Sequence, residues 1–312
     1  MANERTIGVV KPFFSIVIAN YNYGRFLDDA IRSVIAQDVG GEVELIICDA
    51  ASTDNSVEII KKYANGLPPN TSYEEWISHA DSQFTIQHPQ LLTWWCSESD
   101  GGQSDAFNKG FSHARGRFLT WLNADDILTP FALQHVLEVA RKYPECEWIC
   151  GSSVYADASL RIVKCFCAHR FSIIRARYGF LSVWGPSSFF TKRLLNKAGG
   201  IDCKLHYLMD IDLWHRFYLY GRAKYKRTLG NLFAYRQHDE SKMSGARIKP
   251  NEKNMANRIK AKAEEFLVNS TYGINSRGMM YLFAHLIAFS FYDAIISAFR
   301  TMIWKGRDAR EI

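Results

Sequence analysis

Three apolar runs of this 312-residue chain are followed at once by acidic residues. Val43 to Cys48 ends at Asp49, Leu92 to Ser97 at Glu98 and Asp100, and Arg117 to Leu122 at the Asn123-Ala124-Asp125-Asp126 turn. One such acid is unremarkable, since Asp is a frequent turn and cap residue. Three along one sheet edge repel one another unless a cation or hydrogen-bond donors lie among them. Hard carboxylate oxygens suit Mg2+ or Mn2+, which bind through one or two carboxylates and complete their shell with substrate phosphates. No Gly-x-x-x-x-Gly-Lys-Ser/Thr loop occurs, and no Gly-x-Gly-x-x-Gly follows the first apolar run. P-loop and classical dinucleotide chemistry therefore fall away.

Strands and helices in alternation would position these acids. Phe13 to Ala19 is a continuous apolar run suited to a strand buried on both faces. Phe26 to Gln37 then carries Leu27, Ala30, Ile31, Val34 and Ile35 at helical spacing. Val43 to Cys48 is a second strand, and Ser52-Thr53-Asp54 opens a second helix. Residues 65 to 93, with Pro68-Pro69 and His88-Pro89, interrupt the rhythm as an inserted loop or hairpin. Further strands are expected at 92–97, 117–122, 148–155 and 163–166, with helices at 104–114, 131–142 and 211–220. This alternation predicts an α/β fold with a doubly wound, mostly parallel sheet and helices on both faces. In such sheets ligands bind outside the carboxyl ends of the strands, where the acids stand.

Charge divides the chain unevenly. The total of 38 Lys and Arg against 32 Asp and Glu gives +6, and residues 241–312 hold all of that excess. A balanced body argues against nucleic-acid binding. The seven cysteines lie in apolar or strand-like stretches with no Cys-x-x-Cys. They are read as buried reduced thiols, which places the chain in the cytosol. The N-terminus shows no signal-peptide pattern. Met279 to Phe299 is nearly all apolar but contains Asp293, and Arg277, Arg300, Lys305, Arg307 and Arg310 flank it. It reads as an interfacial helix on an anionic membrane, ahead of a helix packed on the main body or a true span.

These motifs together resemble the inverting family 2 glycosyltransferases of GT-A fold over roughly Phe13 to Met243. The resemblance rests on Ile18-Ala19-Asn20-Tyr21-Asn22, Asp49-Ala50-Ala51-Ser52-Thr53-Asp54, and the run from Ser97 to Ala106. Leu122-Asn123-Ala124-Asp125-Asp126, Met209-Asp210-Ile211-Asp212-Leu213-Trp214 and Tyr235-Arg236-Gln237-His238 complete it. It implies a catalytic domain over 1–240, with a nucleotide-sugar half at about 13–126 and an acceptor half at about 127–240. A basic helical extension over 241–312 would follow.

The resemblance also implies roles. Ala19 and Tyr21 would flank the nucleotide base, and Asp49 would accept its hydrogen bond. Asp100, Asn123, Ala124 and Asp126 would line the donor. Asn123 stands where the family's Asp-x-Asp has its first acid, and Asp125 keeps the position that binds Mn2+ or Mg2+, with His238 as a second ligand. Asp210 would be the catalytic base, although Met209 replaces the Glu that often precedes it. Its place at a helix start should hold it ionised. Trp184 and Asp212 would face the acceptor. The implied reaction moves a sugar from a nucleoside-diphosphate donor, UDP favoured, to a glycan or lipid-linked acceptor in surface-polysaccharide synthesis at the inner membrane face. The altered Asn123 and Met209 leave a catalytically impaired sugar-nucleotide binder as an alternative. A nucleotidyltransferase is a further one, disfavoured by the missing Gly-rich phosphate loop.

Overall fold

The computed structural model describes residues 11–40, 43–72, 75, 92–168, 171, 183, 185–242, 252–272 and 295–312. Strands β1 (Phe14–Asn20), β2 (Val43–Asp49), β3 (Leu92–Ser97) and β4 (Phe118–Asn123) form a parallel block in the order β3-β2-β1-β4. The β1–β4 junction is where strand order reverses, and Ala19 pairs there with Asn123. Beyond it the sheet continues through β8 (Ser188–Thr191), β6 (Trp148–Ala156), β9 (Tyr225–Arg236) and β5 (Ile127–Leu128), with β7 (Ile162–Phe166) on β6. This second half is mixed: β8 is antiparallel to β4 and β6, whereas β9 runs parallel to β6.

Alternation along β1 explains the two-sided core. Ile16 and Ile18 face one cluster with Leu27 and Ile31 of α1 (Gly24–Ile35), Ile60 of α2 (Ser56–Ala64) and Leu133 and Val136 of α4 (Ala132–Lys142). Val17 faces the other, with Phe107 and Phe111 of α3 (Gln103–His113), Leu194 of α5 (Lys192–Ala198) and Leu213, Trp214 and Phe217 of α6 (Met209–Leu219). Period-two strands with helices on both faces are the doubly wound arrangement that the apolar runs predict. Trp214 stacks between Trp121 of β4 and Trp148 of β6, with centroids 5.6 and 5.1 Å away, and so ties α6 to the sheet.

The sequence reading misses β8, α5 and most of β9. The first half of β9 is only partly buried, and Gly230-Asn231 breaks its pattern where the β6 register shifts, so neither periodicity is visible. Six cysteines are buried, but Cys203 is exposed, contrary to the expectation for all seven. Most of 65–93 and of 279–299 lies outside the described residues. Among the described residues no helix is long and apolar enough to cross a membrane.

The described parts of 241–312 pack on the main body. α7 (Glu252–Thr271) buries Val268 in the α6-side cluster. In the helical stretch 295–304, the Ser297 and Thr301 hydroxyls accept the N–H groups of Cys167 and Cys165 at 3.0 Å each, the latter on β7.

Candidate active site

The strand ends at the β1–β4 junction are zipped together by short polar side chains. Asp49, 1% exposed, takes four protein donors. Asn20 Nδ2 and Ser52 Oγ reach its Oδ1 at 2.6 Å each. Ser97 Oγ and the Ser52 N–H reach its Oδ2 at 2.6 and 3.0 Å. Its first effect is thus to join the loops after β1, β2 and β3. Asn22 seals the same seam, its Oδ1 accepting the Thr53 N–H at 2.8 Å. Ala19 is partly buried at this rim and Tyr21 is 61% exposed, so its ring faces outward. Asn20 Oδ1 is buried without a protein donor. An orphan acceptor of this kind is costly unless a ligand donor meets it.

Asn123 is the next link. Its Oδ1 accepts Gln103 Nε2 at 2.6 Å, and its Nδ2 donates to Asp126 Oδ2 at 2.8 Å. Asp126 is fully buried, and its other oxygen accepts the Arg236 N–H at 3.0 Å. This corrects the expectation of an Asp126–donor contact: with both oxygens taken inside the protein, Asp126 works by fixing Asn123 and the end of β9. Burial, and secondarily the neighbouring Asp125 charge, hold its carboxyl well above the usual carboxylate range. An acid at position 123 would put another carboxyl against Asp125 and Asp126, whereas the amide supplies a donor. Ala124 is buried in the same turn.

Asp125 and His238, 113 positions apart in sequence, meet here: His238 Nε2 lies 3.1 Å from Asp125 Oδ2. His238 is 4% exposed, packed on Phe26 at 4.6 Å and Tyr23 at 5.7 Å, with Arg25 3.4 Å from its Nδ1. Two cis ligands about 2.1 Å from an octahedral ion stand about 3 Å apart, so this oxygen–nitrogen pair suits a shared Mn2+ or Mg2+. Among the described residues no group of three or more His, Cys, Asp or Glu could hold a metal. A cation here would draw its remaining ligands from phosphate and water.

Across the crevice, Asp100 lies on the loop into α3, its Oδ1 accepting the Gly102 N–H at 2.8 Å. Gly102 has φ +108°, a backbone angle that favours glycine. Burial raises the Asp100 carboxyl above its usual value. Ser104 Oγ donates to Leu205 O at 2.7 Å, bringing this loop against the approach to α6.

Asp210 is the second residue of α6. Its Oδ1 accepts the Ile211 N–H at 2.8 Å. The helix-start position is as expected, but the direction of its titration is not: burial pushes the carboxyl up to about 6, outweighing the backbone N–H groups of Ile211 and Gly185. Gly185 has no room for a side chain, since a Cβ there would fall 2.6 Å from the Trp121 ring. Asp212 departs from its expected acceptor-facing role. Arg216 Nε holds its Oδ2 at 2.8 Å and Tyr272 Oη its Oδ1 at 2.6 Å, so it is spent on binding α6 to the end of α7. Trp184 lies outside the described residues. Lys242, whose ammonium donates to His206 O, ties the segment after His238 to the approach of α6, and sequence reasoning misses it along with Gln103 and Arg25. Long-range hydrogen bonds of this kind leave no periodic trace.

The sequence matches the profile "Glycosyl transferase family 2" over residues 15–76 and 84–180, just over half the chain. An uncharacterised glycosyltransferase of Nostoc sp. is 35% identical over 125 residues, 40% of this chain and 32% of that protein. The chondroitin synthase of Pasteurella multocida is 26% identical over 217 residues, 69% of this chain and 20% of its own. The chain thus spans well under two thirds of these relatives' lengths. In fold it is similar to a Pyrobaculum calidifontis mannosyltransferase in complex with GDP-Man and Mn2+, with TM-score 0.52, 14% identity and coverage of 95% and 88% of the two chains. It is similar also to Staphylococcus aureus TarS in complex with UDP-GlcNAc, with TM-score 0.50, 13% identity and coverage of 80% and 70%. With its parallel block, its acidic strand ends and this profile match, the chain belongs to glycosyl transferase family 2.

Proposed function

We propose that this protein transfers a sugar from a nucleoside-diphosphate donor to an acceptor hydroxyl with inversion, using Asp210 as base and a divalent cation at Asp125 and His238. The observation that carries the reading is the Asp125–His238 pair, closed at 3.1 Å just beyond the strand-order reversal, with Lys242 tying the segment after His238 to the approach of the helix of Asp210. The resident cation would supply charge neutralisation for a departing diphosphate. Tyr21 offers its outward ring to the base, and Asn20 Oδ1 an unpaired acceptor beside it. Asp49 would accept a hydrogen bond from the base in place of one of its serine donors. Asp210, raised to about 6, is ionised at neutral pH and still basic enough to take the acceptor's proton.

UDP-sugars are the favoured donors and a glycan or lipid-linked hydroxyl the favoured acceptor, in keeping with the relatives' names. Exposed Phe299, Met302 and Ile303 beside Lys305 and Arg307 support contact with an anionic membrane surface. A thermal-shift panel of UDP-, GDP- and dTDP-sugars with and without Mn2+ tests the donor site: stabilisation by at least one is expected, and stabilisation by none overturns it. Asp210→Asn should keep that stabilisation and lose donor hydrolysis. A binder without catalytic power would show stabilisation and no hydrolysis in the wild-type chain.

A further inference from the structure

Nothing in the sequence of α6 caps its start. Leu208 occupies the N-cap position and makes no side-chain cap hydrogen bond, so the N–H groups entering the helix need partners from elsewhere. They find one on α7. Glu264 Oε1 accepts the His206 N–H at 2.9 Å, and its Oε2 accepts those of Tyr207 and Leu208 at 2.8 and 3.2 Å. The next two residues are Met209 and Asp210. Glu264 is one member of a stripe at four-residue spacing. Val268, one turn on, is 3% exposed in the cluster of Leu205, Met209 and Leu213. Tyr272, a further turn on, donates to Asp212 and stacks on His215 with centroids 4.4 Å apart. At the other end Asn257 Oδ1 accepts Tyr207 Oη at 2.9 Å.

We propose that Glu264 is a positioning residue for catalysis, and that α7 is a working part of the active site. This rests on Asp210 being the base. The carboxylate takes three consecutive backbone N–H groups that nothing local satisfies, as charge-assisted bonds on the positive end of α6. The stripe then grips α6 at its entry and again one turn into it. Asp210, two residues beyond Leu208, follows directly on the turn that Glu264 holds. Without Glu264 the turn over residues 206–208 must find new donors' partners in water, and Asp210 shifts relative to the donor carbon. A displacement of about 1 Å at a reacting group costs up to about a hundredfold in rate. The donor loops after β1, β2 and β4 make none of the α7 bonds described above and should keep their geometry.

The test compares full-length wild type, Glu264→Gln, Glu264→Ala, Tyr272→Phe and Asp210→Asn. Hydrolysis of UDP-glucose, UDP-GlcNAc and GDP-mannose with Mn2+ is followed against pH, and UDP and GDP affinity by calorimetry. Glu264→Gln should lower kcat about tenfold and Glu264→Ala up to about a hundredfold, with nucleotide affinity unchanged within about twofold. The acid limb of the Glu264→Gln profile should also move down as water reaches Asp210. Tyr272→Phe, which removes one hydroxyl, should lower kcat by a smaller factor in the same pattern. Glu264→Gln and Tyr272→Phe decide the matter if Glu264→Ala does not fold. Wild-type kcat in the Glu264 variants overturns the proposal, as does nucleotide affinity falling in step with kcat. An active Asp210→Asn overturns the base assignment itself, and this proposal with it. An inactive Asp210→Asn beside fully active Glu264 variants overturns this proposal alone.

Discussion

At Asp210 two local effects oppose each other. The first turn of a helix favours a carboxylate, and the Ile211 N–H reaches its Oδ1 at 2.8 Å. Burial works the other way and wins, so the carboxyl titrates at about 6. Hydrolysis of a stabilising nucleotide-sugar should therefore rise with pH through about 6, as the base loses its proton. Asp210→Asn should abolish that rise together with most of the rate, at unchanged donor affinity. The same burial makes the ionised carboxylate costly to the fold, by about 3 kcal/mol at neutral pH. Because the folded value lies above the ordinary one, that cost is absent below about pH 4 and complete above pH 6. Asp210→Asn should thus raise the melting temperature at pH 7 to 8, with the gain fading towards pH 4. At Asp125 and His238 the expectation concerns the cation: Asp125→Asn or His238→Ala should weaken Mn2+-dependent nucleotide binding at least about tenfold and leave metal-free binding nearly unchanged, as read by calorimetry.

At the scale of elements, α6 matters through what surrounds it. Trp214 anchors it in the aromatic stack, Glu264 of α7 holds its entry, and the Gly185 N–H opposes the rise of the Asp210 carboxyl. Gly185→Ala puts a methyl 2.6 Å from the rigid Trp121 ring, and the strand or the tryptophan must give way. Such overpacking costs about 1–3 kcal/mol. The melting temperature should fall accordingly, and kcat should fall more than nucleotide affinity because the displaced backbone adjoins Asp210. The apolar runs at 14–20, 43–49, 92–97 and 118–123 were legible as strands because burial on both faces leaves continuous Val, Ile, Leu and Trp stretches. β9 was not, because half of it is only partly buried and its partner register slips beside Gly230. The helix of Asp210 was legible, but its cap was not, since Glu264 lies 54 positions beyond Asp210.

For the whole molecule, the cation site proposed at Asp125 and His238 has a thermodynamic consequence. With no third protein ligand among the described residues, the pair should bind Mn2+ alone weakly, and the diphosphate should complete the shell, so each strengthens the other. UDP or GDP plus Mn2+ should then raise the melting temperature by more than the sum of their separate effects, since ligands that bind only the folded chain add about 2.7 kcal/mol at a hundredfold excess over Kd. Additive shifts would contradict a shared site. The charge of +6 resides in residues 241–312, yet Glu264 in that region is an acid that takes the N–H groups of residues 206–208. Residues 241–312 are basic in sum, and their described parts pack on the main body.

The sequence by itself determined the βαβ rhythm, the acids at the strand ends and the helix of Asp210, because these follow from local periodicity and from where strands stop. It also pointed to Asp125 and His238 as candidates 113 positions apart. Only the tertiary structure shows which protein groups each acid meets. Asp126 and Asp212 turn inward because their oxygens meet Asn123, Arg236, Arg216 and Tyr272, partners brought near by packing. Asp210 titrates high because of the atoms enclosing it, and its helix is capped from α7. Hydrogen bonding and desolvation depend on distance in space, and no spacing along the chain encodes them.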